Sequence, residues 1–312
     1  MHAVTLTCPG GLEALLEAEC RALGVTDTQR ARGAVTGSGD LEACYRACLW
    51  SRHANHVLLH IAAIPAGDAD NLYRHLSDVS WEDWLAPAQR LFIAVSGRTP
   101  AIANTQHAVF RAKDAIVDRL RDRGVARPQI DREDPDIVLQ LHLDERGSVI
   151  YLNLNGASLH ERGYRAATVA APVKENLAAA VAAWAGIGNG ATPPMVLDPL
   201  CGSGTLLIEA AWLHAGIAPG LLRNRWGFRA WRGHDEVCWQ RVRREADAAR
   251  ARALAEPMPS FVGFDADPAA VRAAQRNIAA AGLAGYIHVE CRPLALLGTG
   301  KPLPADGLVL SN

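Results

Sequence analysis

Short apolar segments alternate with amphipathic ones along the first 65 residues. Runs of alternating or continuous apolar residues predict three strands, at residues 3–7, 34–38 and 55–64. The helical pattern of residues 11–24 ends at Gly24, and Asp40 is placed to cap a second helix. The pattern therefore predicts a small α+β unit over residues 1–65.

A second unit follows over residues 66–165. Residues 71–85 and 104–124 have the apolar spacing of helices, with Asn104 as a candidate cap and Gly124 as a candidate stop in the longer one. Further apolar runs predict three strands, at residues 90–98, 136–144 and 148–156. Only a short turn separates the last two strands, so we expect them to form an antiparallel hairpin.

Strands and helices alternate regularly from residue 166 onward. After a helix at residues 174–186, apolar runs predict four strands, at residues 195–198, 261–265, 286–290 and 307–311. Helical patterns fall between them, at residues 204–215, 236–255 and 268–281. This alternation is typical of a parallel, doubly wound sheet, so the chain is predicted to be an α/β protein whose third unit covers residues 166–312.

The composition indicates an ordinary globular protein. The chain has 32 Lys and Arg against 33 Asp and Glu, and 49% of its residues are hydrophobic, which excludes the disordered and collagen-like classes. No apolar run reaches the roughly 18–20 residues of a membrane helix, and the first residues lack the order of a signal peptide. We therefore expect a cytoplasmic protein without a membrane partner.

The seven cysteines are widely spread and include no C-x-x-C pair. This spacing argues against a disulfide framework and against a zinc knuckle. Cys44 and Cys48 are four residues apart on one predicted helix, which suits either half of a metal site or two small buried side chains. We expect the second and predict no metal.

The segment MVLDPLCGSGTLLIEAAW, at residues 195–212, carries the clearest chemical signal. It reads as a strand ending in Asp198, two glycines at positions 202 and 204, and a helix whose first turn offers free N–H groups to a ligand. The phosphate-binding pattern G-x-x-x-x-G-K-[ST] is absent. A dinucleotide loop would have a third glycine where Leu207 stands, and Asp198 would repel a pyrophosphate. A cationic ligand without phosphate fits this loop better.

The sequence of the following strand indicates that the ligand contains a ribose. The sequence FVGFDADP places Asp265 at the carboxyl end of that strand, where a carboxylate accepts hydrogen bonds from both ribose hydroxyls. An insert at residues 214–257 separates the two strand–helix units. The two units together predict a nucleoside-containing ligand.

These segments together resemble a known family, the class I S-adenosylmethionine-dependent methyltransferases with an N-terminal THUMP domain that modify structured RNA. The likeness is strongest to the bacterial 23S rRNA guanine-N2 methyltransferases and spans the chain. The segments that carry it are LDPLCGSGTLLIEAA, GFDADP, SLHERGYR at residues 158–165, APVKENLAAA at residues 171–180 and IAPGLLRNRWGFRAWRGHDEVCW at residues 217–239. The resemblance implies a ferredoxin-like portion at residues 1–65, a THUMP RNA-binding domain at residues 66–165 and an incomplete Rossmann-like methyltransferase domain at residues 166–312.

The resemblance also implies S-adenosylmethionine as the cofactor. Its methionine and sulfonium end would lie on the glycine loop and its ribose on Asp265, with the segment around Lys174 packing over it. Family members usually place an acid near the adenine, where this chain has Pro293, so that contact would fall to backbone groups or Glu290. The predicted cofactor-binding residues are Asp198, Pro199, Cys201, Gly202, Ser203, Gly204, Asp265, Ala266, Lys174 and Asn176.

Family enzymes continue the fourth strand of the sheet into an Asn-Pro-Pro-Tyr-like turn. The asparagine side chain and the first proline carbonyl accept hydrogen bonds from the target amino group, and the aromatic ring stacks on the flipped base. Here the sequence reads GLVLSN, so Asn312 is the predicted catalytic residue, as the first residue of that turn. We expect the 312-residue chain to keep much of the cofactor pocket, to lack activity by itself and to associate through the open edge of its last strand.

Two clusters are candidates for contact with RNA. One lies on the long helix and the strand before it, where acids alternate with the bases, so a salt-bridged solvated face is the alternative. The other is LLRNRWGFRAWR, which mixes arginines with aromatic rings as single-stranded RNA contacts do; the alternative is an aromatic core with solvated arginines. The predicted RNA-binding residues are Arg98, Arg111, Lys113, Arg223, Arg225, Trp226, Arg229 and Arg232.

The predicted function is transfer of a methyl group from S-adenosylmethionine to the exocyclic amino group of a guanosine in 23S rRNA. Three alternatives stay open: a tRNA guanine-N2 methyltransferase, a DNA adenine methyltransferase with the same loop, and a non-catalytic RNA-binding fragment. The THUMP-like half favours RNA over DNA but does not choose between rRNA and tRNA.

Overall fold

The first part of the chain has the βαββαβ order of a ferredoxin-like fold. The computed structural model describes residues 1–167, 172–190, 193–297 and 306–312. The elements of the first part are β1 (His2–Thr7), α1 (Glu13–Ala22), β2 (Thr26–Ala31), β3 (Ala34–Gly39), α2 (Leu41–Trp50) and β4 (His56–Pro65). Both predicted helix boundaries are confirmed, because Gly24 has a φ of +92° and the Asp40 carboxylate accepts a hydrogen bond from Ala43 N at 2.8 Å.

The second part extends the same sheet through pairing of β4 with its last strand. Its elements are α3 (Ala69–Ser77), α4 (Trp81–Trp84), β5 (Arg90–Gly97), α5 (Thr105–Asp122), β6 (Gln129–Ile130), β7 (Ile137–Leu143) and β8 (Gly147–Asn153). The strand order is β2-β3-β1-β4-β8-β7-β5-β6. The predicted hairpin is the antiparallel pair β7–β8, and Asn104 caps α5 by accepting from Gln106 N at 2.9 Å.

The third part is built on a parallel sheet, as predicted. Its elements are α6 (Glu175–Trp184), β9 (Met195–Asp198), α7 (Thr205–His214), α8 (Glu236–Ala253), β10 (Ser260–Asp265), α9 (Pro268–Ala280), β11 (Ile287–Cys291) and β12 (Leu308–Val309), with short 3₁₀ helices at Gly227–Ala230 and Leu294–Leu296. The order β11-β10-β9-β12 places the fourth strand beside the first. The α/β, doubly wound prediction is therefore confirmed.

Among the differences between the predicted pattern and the structure, two have a clear physical reason. Strand β2 was missed because its sequence TDTQRA is polar and mostly exposed, and an edge strand without a buried face shows no apolar alternation. The single helix predicted at residues 71–85 is divided into α3 and α4. The division occurs where Trp81 turns inward and its indole donates to Leu76 O at 2.7 Å, at the end of α3.

The insert at residues 214–257, which includes α8, packs against the ferredoxin-like part. The Tyr45 ring of α2 lies 4.8 Å from the Phe228 ring and 5.8 Å from the Trp239 ring, and its hydroxyl lies 2.6 Å from His234 Nδ1. Gly220 N donates to the backbone carbonyl of α2 at residue 49, at 2.9 Å. The aromatic rings of the insert are thus core residues that join the first and third parts.

A buried ion pair is a second contact between these parts. Arg162 Nε lies 3.5 Å from Glu209 Oε1 on α7, and both side chains are at most 1% exposed. The Tyr164 hydroxyl donates to the same carboxylate at 3.1 Å, while other Arg162 nitrogens donate to the backbone carbonyls of residues 52 and 159. This pair fixes the helix that follows the glycine loop relative to the N-terminal half.

Candidate active site

The glycine loop lies at the carboxyl edge of the parallel sheet, between β9 and α7. Gly202 and Gly204 have φ values of +54° and +80°, in the left-handed region that favours glycine. A Cβ at Gly204 would lie 3.3 Å from Ala274 Cβ, so the loop packs directly on α9. Cys201 N donates to Phe264 O at 2.8 Å. Contacts with β10 and α9 therefore hold the loop in its shape.

Asp198 and Asp265 end two adjacent strands and flank this loop. Asp265 accepts hydrogen bonds from Gly202 N and Asp267 N, each at 2.9 Å. Asp198 is 1% exposed and accepts from Leu200 N at 3.1 Å. Burial raises the pKa of Asp198 to about 6; the charge of Asp265 adds to this rise and the Leu200 N–H opposes it. The two carboxylates form a negative site that a cationic ligand would stabilise.

Arg165 connects the glycine loop to the start of α6. Its guanidinium pairs with Glu175 at 2.8 Å and lies 3.4 Å from Ser203 Oγ and 3.3 Å from Thr205 Oγ1. The resemblance places Glu175 in the segment that packs over the cofactor, but Arg165 is not among the predicted site residues, because no motif spacing relates the joint at residues 158–165 to the loop. The only signal in the sequence was the basic joint itself.

The other residues predicted to bind the cofactor differ in their exposure. Lys174 is exposed at the start of α6, Pro199 is half-buried and Ala266 is exposed beside the loop. The prediction for Asn176 is wrong. Its side chain is fully buried and donates to Asn55 Oδ1 at 2.9 Å, so it joins α6 to the ferredoxin-like part instead of facing a ligand.

The last two strands place the remaining predicted features. Beyond β11, Arg292 pairs with Glu290 at 3.0 Å, and Pro293 is exposed. Strand β12 runs parallel to β9, and Leu310 N donates to Leu197 O at 2.8 Å. Asn312 therefore follows at the same edge of the sheet as Asp198, and it is exposed.

Two residues of the insert that were predicted to touch RNA are buried. Trp226 is 5% exposed and stacks on Phe228 with ring centroids 5.6 Å apart. Arg223 is 6% exposed, and its guanidinium lies 5.0 Å from the Trp226 ring centroid. Arg223 donates to four backbone carbonyls in and just before the joint, those of Asn155, Ala157, Ser158 and Glu161. Because both side chains are almost entirely buried and are engaged by other groups of the chain, the prediction of an RNA contact is wrong for these two; Arg225, Arg229 and Arg232 are exposed.

The other predicted RNA cluster is partly neutralised by ion pairs. Arg111 pairs with Asp70 at 2.7 Å and lies 4.2 Å from the Tyr73 ring centroid, and Lys113 pairs with Asp114 at 3.1 Å. Arg98 is exposed at the end of β5. The ion pairs of Arg111 and Lys113 are those expected from the alternative of a solvated, salt-bridged face.

Cys44 and Cys48 pack in the core as small apolar side chains. Burial raises the pKa of the Cys44 thiol to about 12 and that of Cys48 well above its ordinary value. Within the described ranges, no group of three or more His, Cys, Asp or Glu is arranged to hold a metal ion. In the same part of the chain, none of the helices combines the length and the apolar character that crossing a membrane requires.

Comparison with protein families assigns each part of the chain. Residues 3–58 match the RlmL ferredoxin-like domain, residues 66–153 the THUMP domain and residues 162–305 the RMKL-like methyltransferase domain. The chain is 44% identical to the ribosomal RNA large subunit methyltransferase K/L of Stutzerimonas stutzeri and 42% identical to that of Pseudomonas aeruginosa. Each match covers the whole chain but 43% of the relative, so the chain spans less than half the length of these proteins.

Solved structures share the fold over nearly the whole chain. SMU.472, a structure complexed with SAH, superposes with a TM-score of 0.84 and 28% identity, covering 100% of this chain and 80% of that one. A protein from Listeria monocytogenes, described as a predicted N6-adenine-specific DNA methylase, superposes with a TM-score of 0.86 and 28% identity, covering 99% and 79%.

Proposed function

We propose that this chain, which carries an RlmL ferredoxin-like domain, a THUMP domain and an RMKL-like methyltransferase domain in that order, is the S-adenosylmethionine-binding part of an rRNA methyltransferase. The observation that carries the proposal is the pairing of Asp198 and Asp265 around a glycine loop at the carboxyl edge of a parallel sheet. The relatives named for rRNA large subunit methylation and the SAH-bound structure support it.

The donor set at the loop fits this cofactor. S-adenosylmethionine brings a sulfonium and an α-ammonium group, so its reactive end is cationic and free of phosphate. Asp198 is a buried carboxylate without an ion-pair partner among the described residues, and Asp265 follows the adjacent strand as a ribose-binding acid would. The bound cofactor would supply an electrophilic methyl group.

The residues of this chain position the reactants and do not provide a strong base. A neutral aromatic amine attacks a sulfonium methyl readily once aligned, and its proton leaves late, so alignment supplies most of the catalysis. Asn312 follows β12 at the edge where the glycine loop lies, so its amide oxygen is suited to accept a hydrogen bond from the target amino group. We assign this group to the N2 position of a guanosine in 23S rRNA.

Transfer of a labelled methyl group tests this function. The complete gene product is incubated with labelled S-adenosylmethionine and with rRNA, tRNA or DNA from a strain that lacks the gene. We expect label in large-subunit rRNA, recovered as N2-methylguanosine after digestion. Label in tRNA would favour the tRNA alternative, label in DNA adenine would favour the description given to the Listeria structure, and no label would favour a non-catalytic RNA-binding role.

The raised pKa of Asp198 predicts that cofactor binding depends on pH. Below a pKa of about 6 this carboxyl is protonated and no longer attracts a cation, so the affinity for S-adenosylmethionine should fall about tenfold for each pH unit below that value. Calorimetric titrations between about pH 5 and pH 7.5 would measure this dependence. Asp198→Asn should bind S-adenosylmethionine weakly and with an affinity that does not depend on pH over this range. If the affinity of this variant fell with pH as steeply as that of the parent, the titrating group would be another residue.

A further inference from the structure

A deep cleft lies beside the glycine loop but does not include it. The cleft has a volume of about 990 Å³ and is bounded by the end of the THUMP domain, the joint, the start of α6 and the insert. Representative lining residues are Asp136, Ala157, Arg165, Lys174 and Arg229. Because the Arg165 guanidinium also lies within 3.4 Å of Ser203 Oγ, the cleft and the glycine loop share a wall.

Close backbone packing between the joint and the insert forms the rigid floor of the cleft. A Cβ on Gly227 would lie 2.5 Å from Asn153 O, and one on Gly163 would lie 2.8 Å from Leu222 O, so both positions require glycine. Phe228 N donates to Leu154 O at 2.9 Å, and the four hydrogen bonds from Arg223 to backbone carbonyls fix the joint against the insert. A preformed floor lowers the entropy cost of binding a ligand.

The charge of the cleft favours an anion. Its described lining residues include six basic and four acidic side chains, a net charge of +2, whereas the whole chain carries −1. Five of these ten side chains already take part in ion pairs: Glu175 pairs with Arg165 within the cleft, while Asp136 pairs with Arg90, Arg225 with Asp134 and Arg162 with Glu209. Lys174 and Arg229 are exposed and form no ion pair within the described part of the chain, so they are available for phosphate groups.

We propose that this cleft binds a single-stranded segment of RNA next to the target nucleotide. The inference rests on the proposed function, since the shared wall at Arg165 would place the bound strand beside the methyl donor. A concave site of this volume encloses a few nucleotides, whereas duplex RNA is contacted across a broad, shallow groove. The exposed cations Lys174 and Arg229 would contact phosphates, and the floor of the cleft would face the bases.

Two variants test the cleft, one by changing its volume and the other by changing its charge. Ala157→Trp fills the cleft at an exposed position without changing charge, and Arg229→Glu reverses one available cation. Ala251→Trp and Arg252→Glu make the same changes on the exposed side of α8, outside the cleft, and serve as matched controls. Fluorescence anisotropy with a labelled RNA of about 12 nucleotides, single-stranded or annealed into a duplex, measures the affinity of the 312-residue chain.

We expect both cleft variants to weaken single-strand binding by at least about tenfold and both controls to leave it unchanged. Titrations of the same samples with S-adenosylhomocysteine keep the two proposals separate. If the parent did not bind S-adenosylhomocysteine, the cofactor assignment would be overturned, while the RNA measurement would still test the cleft. The cleft proposal is overturned if the parent binds no RNA, if it binds duplex as tightly as single strand, or if Ala157→Trp and Arg229→Glu bind like the parent. Binding of a polyglutamate peptide in place of RNA would also overturn it.

Discussion

Replacing Glu209 by alanine is expected to lower the free energy of unfolding by about 3–5 kcal/mol. The carboxylate of Glu209 and its partner Arg162 are completely buried, and the guanidinium of Arg52, which is also buried, lies nearby. Burial already lowers the pKa of Arg52 to about 10, and the charge of Glu209 opposes that shift. Without Glu209, Arg162 would lose its ion-pair partner and Arg52 would keep only the weaker influence of Glu19, so the contact between the N-terminal half and α7 would be weakened.

Urea denaturation of the 312-residue chain measures this loss. Glu145→Ala, at an exposed turn, is the matched control and should stay within about 0.5 kcal/mol of the parent. The double variant Arg162→Met with Glu209→Leu should recover part of the stability, because it removes both charges and fills the space. A Glu209→Ala variant within about 1 kcal/mol of the parent would contradict a charged, structurally required pair.

Replacing Arg223 by alanine is expected to cost about 2–4 kcal/mol of stability. Four backbone carbonyls in and just before the joint would lose the donor Arg223, and the buried Trp226 ring would lose the guanidinium that lies 5.0 Å from its centroid. Arg232→Ala removes an exposed arginine from the same insert and is expected to leave stability unchanged.

Thermal unfolding of the two variants, monitored by circular dichroism, compares them directly. We expect a clear fall in melting temperature for Arg223→Ala and none for Arg232→Ala. If Arg223→Ala unfolded like the parent but bound RNA more weakly, the residue would return to the RNA-contact role predicted from the sequence.

The sequence predicted the parts of the site that depend on local order along the chain. A strand, an acid, a glycine turn and a helix follow one another without interruption, so Asp198, Gly202 and Gly204 could be placed before the fold was known. Asp265 ends a second strand, and parallel strands bring their carboxyl ends to one edge. The polar strand β2 is the main omission, because it has no buried face to mark it.

Residues whose role depends on distant contacts could not be assigned in this way. Arg223 and Trp226 have the composition of an RNA-binding segment, yet they pack under the joint, which is far from them in sequence. Asn176 stands within a family motif but contacts Asn55, and Arg165 gains its position through Glu175 and Ser203. Burial by a distant segment leaves no periodic signal in the buried residue's own neighbourhood.

Titration calorimetry with S-adenosylhomocysteine measures whether the glycine loop is the cofactor site. We expect one site per chain with micromolar affinity, and binding at least about 100-fold weaker in Asp265→Ala, which loses the acceptor for the ribose hydroxyls. Asp267→Asn is the matched control, since asparagine keeps the cap of α9 and the side chain accepts from Ala269 N, away from the loop. Asp265→Ala binding as tightly as the parent would contradict the assignment of this loop as the cofactor site.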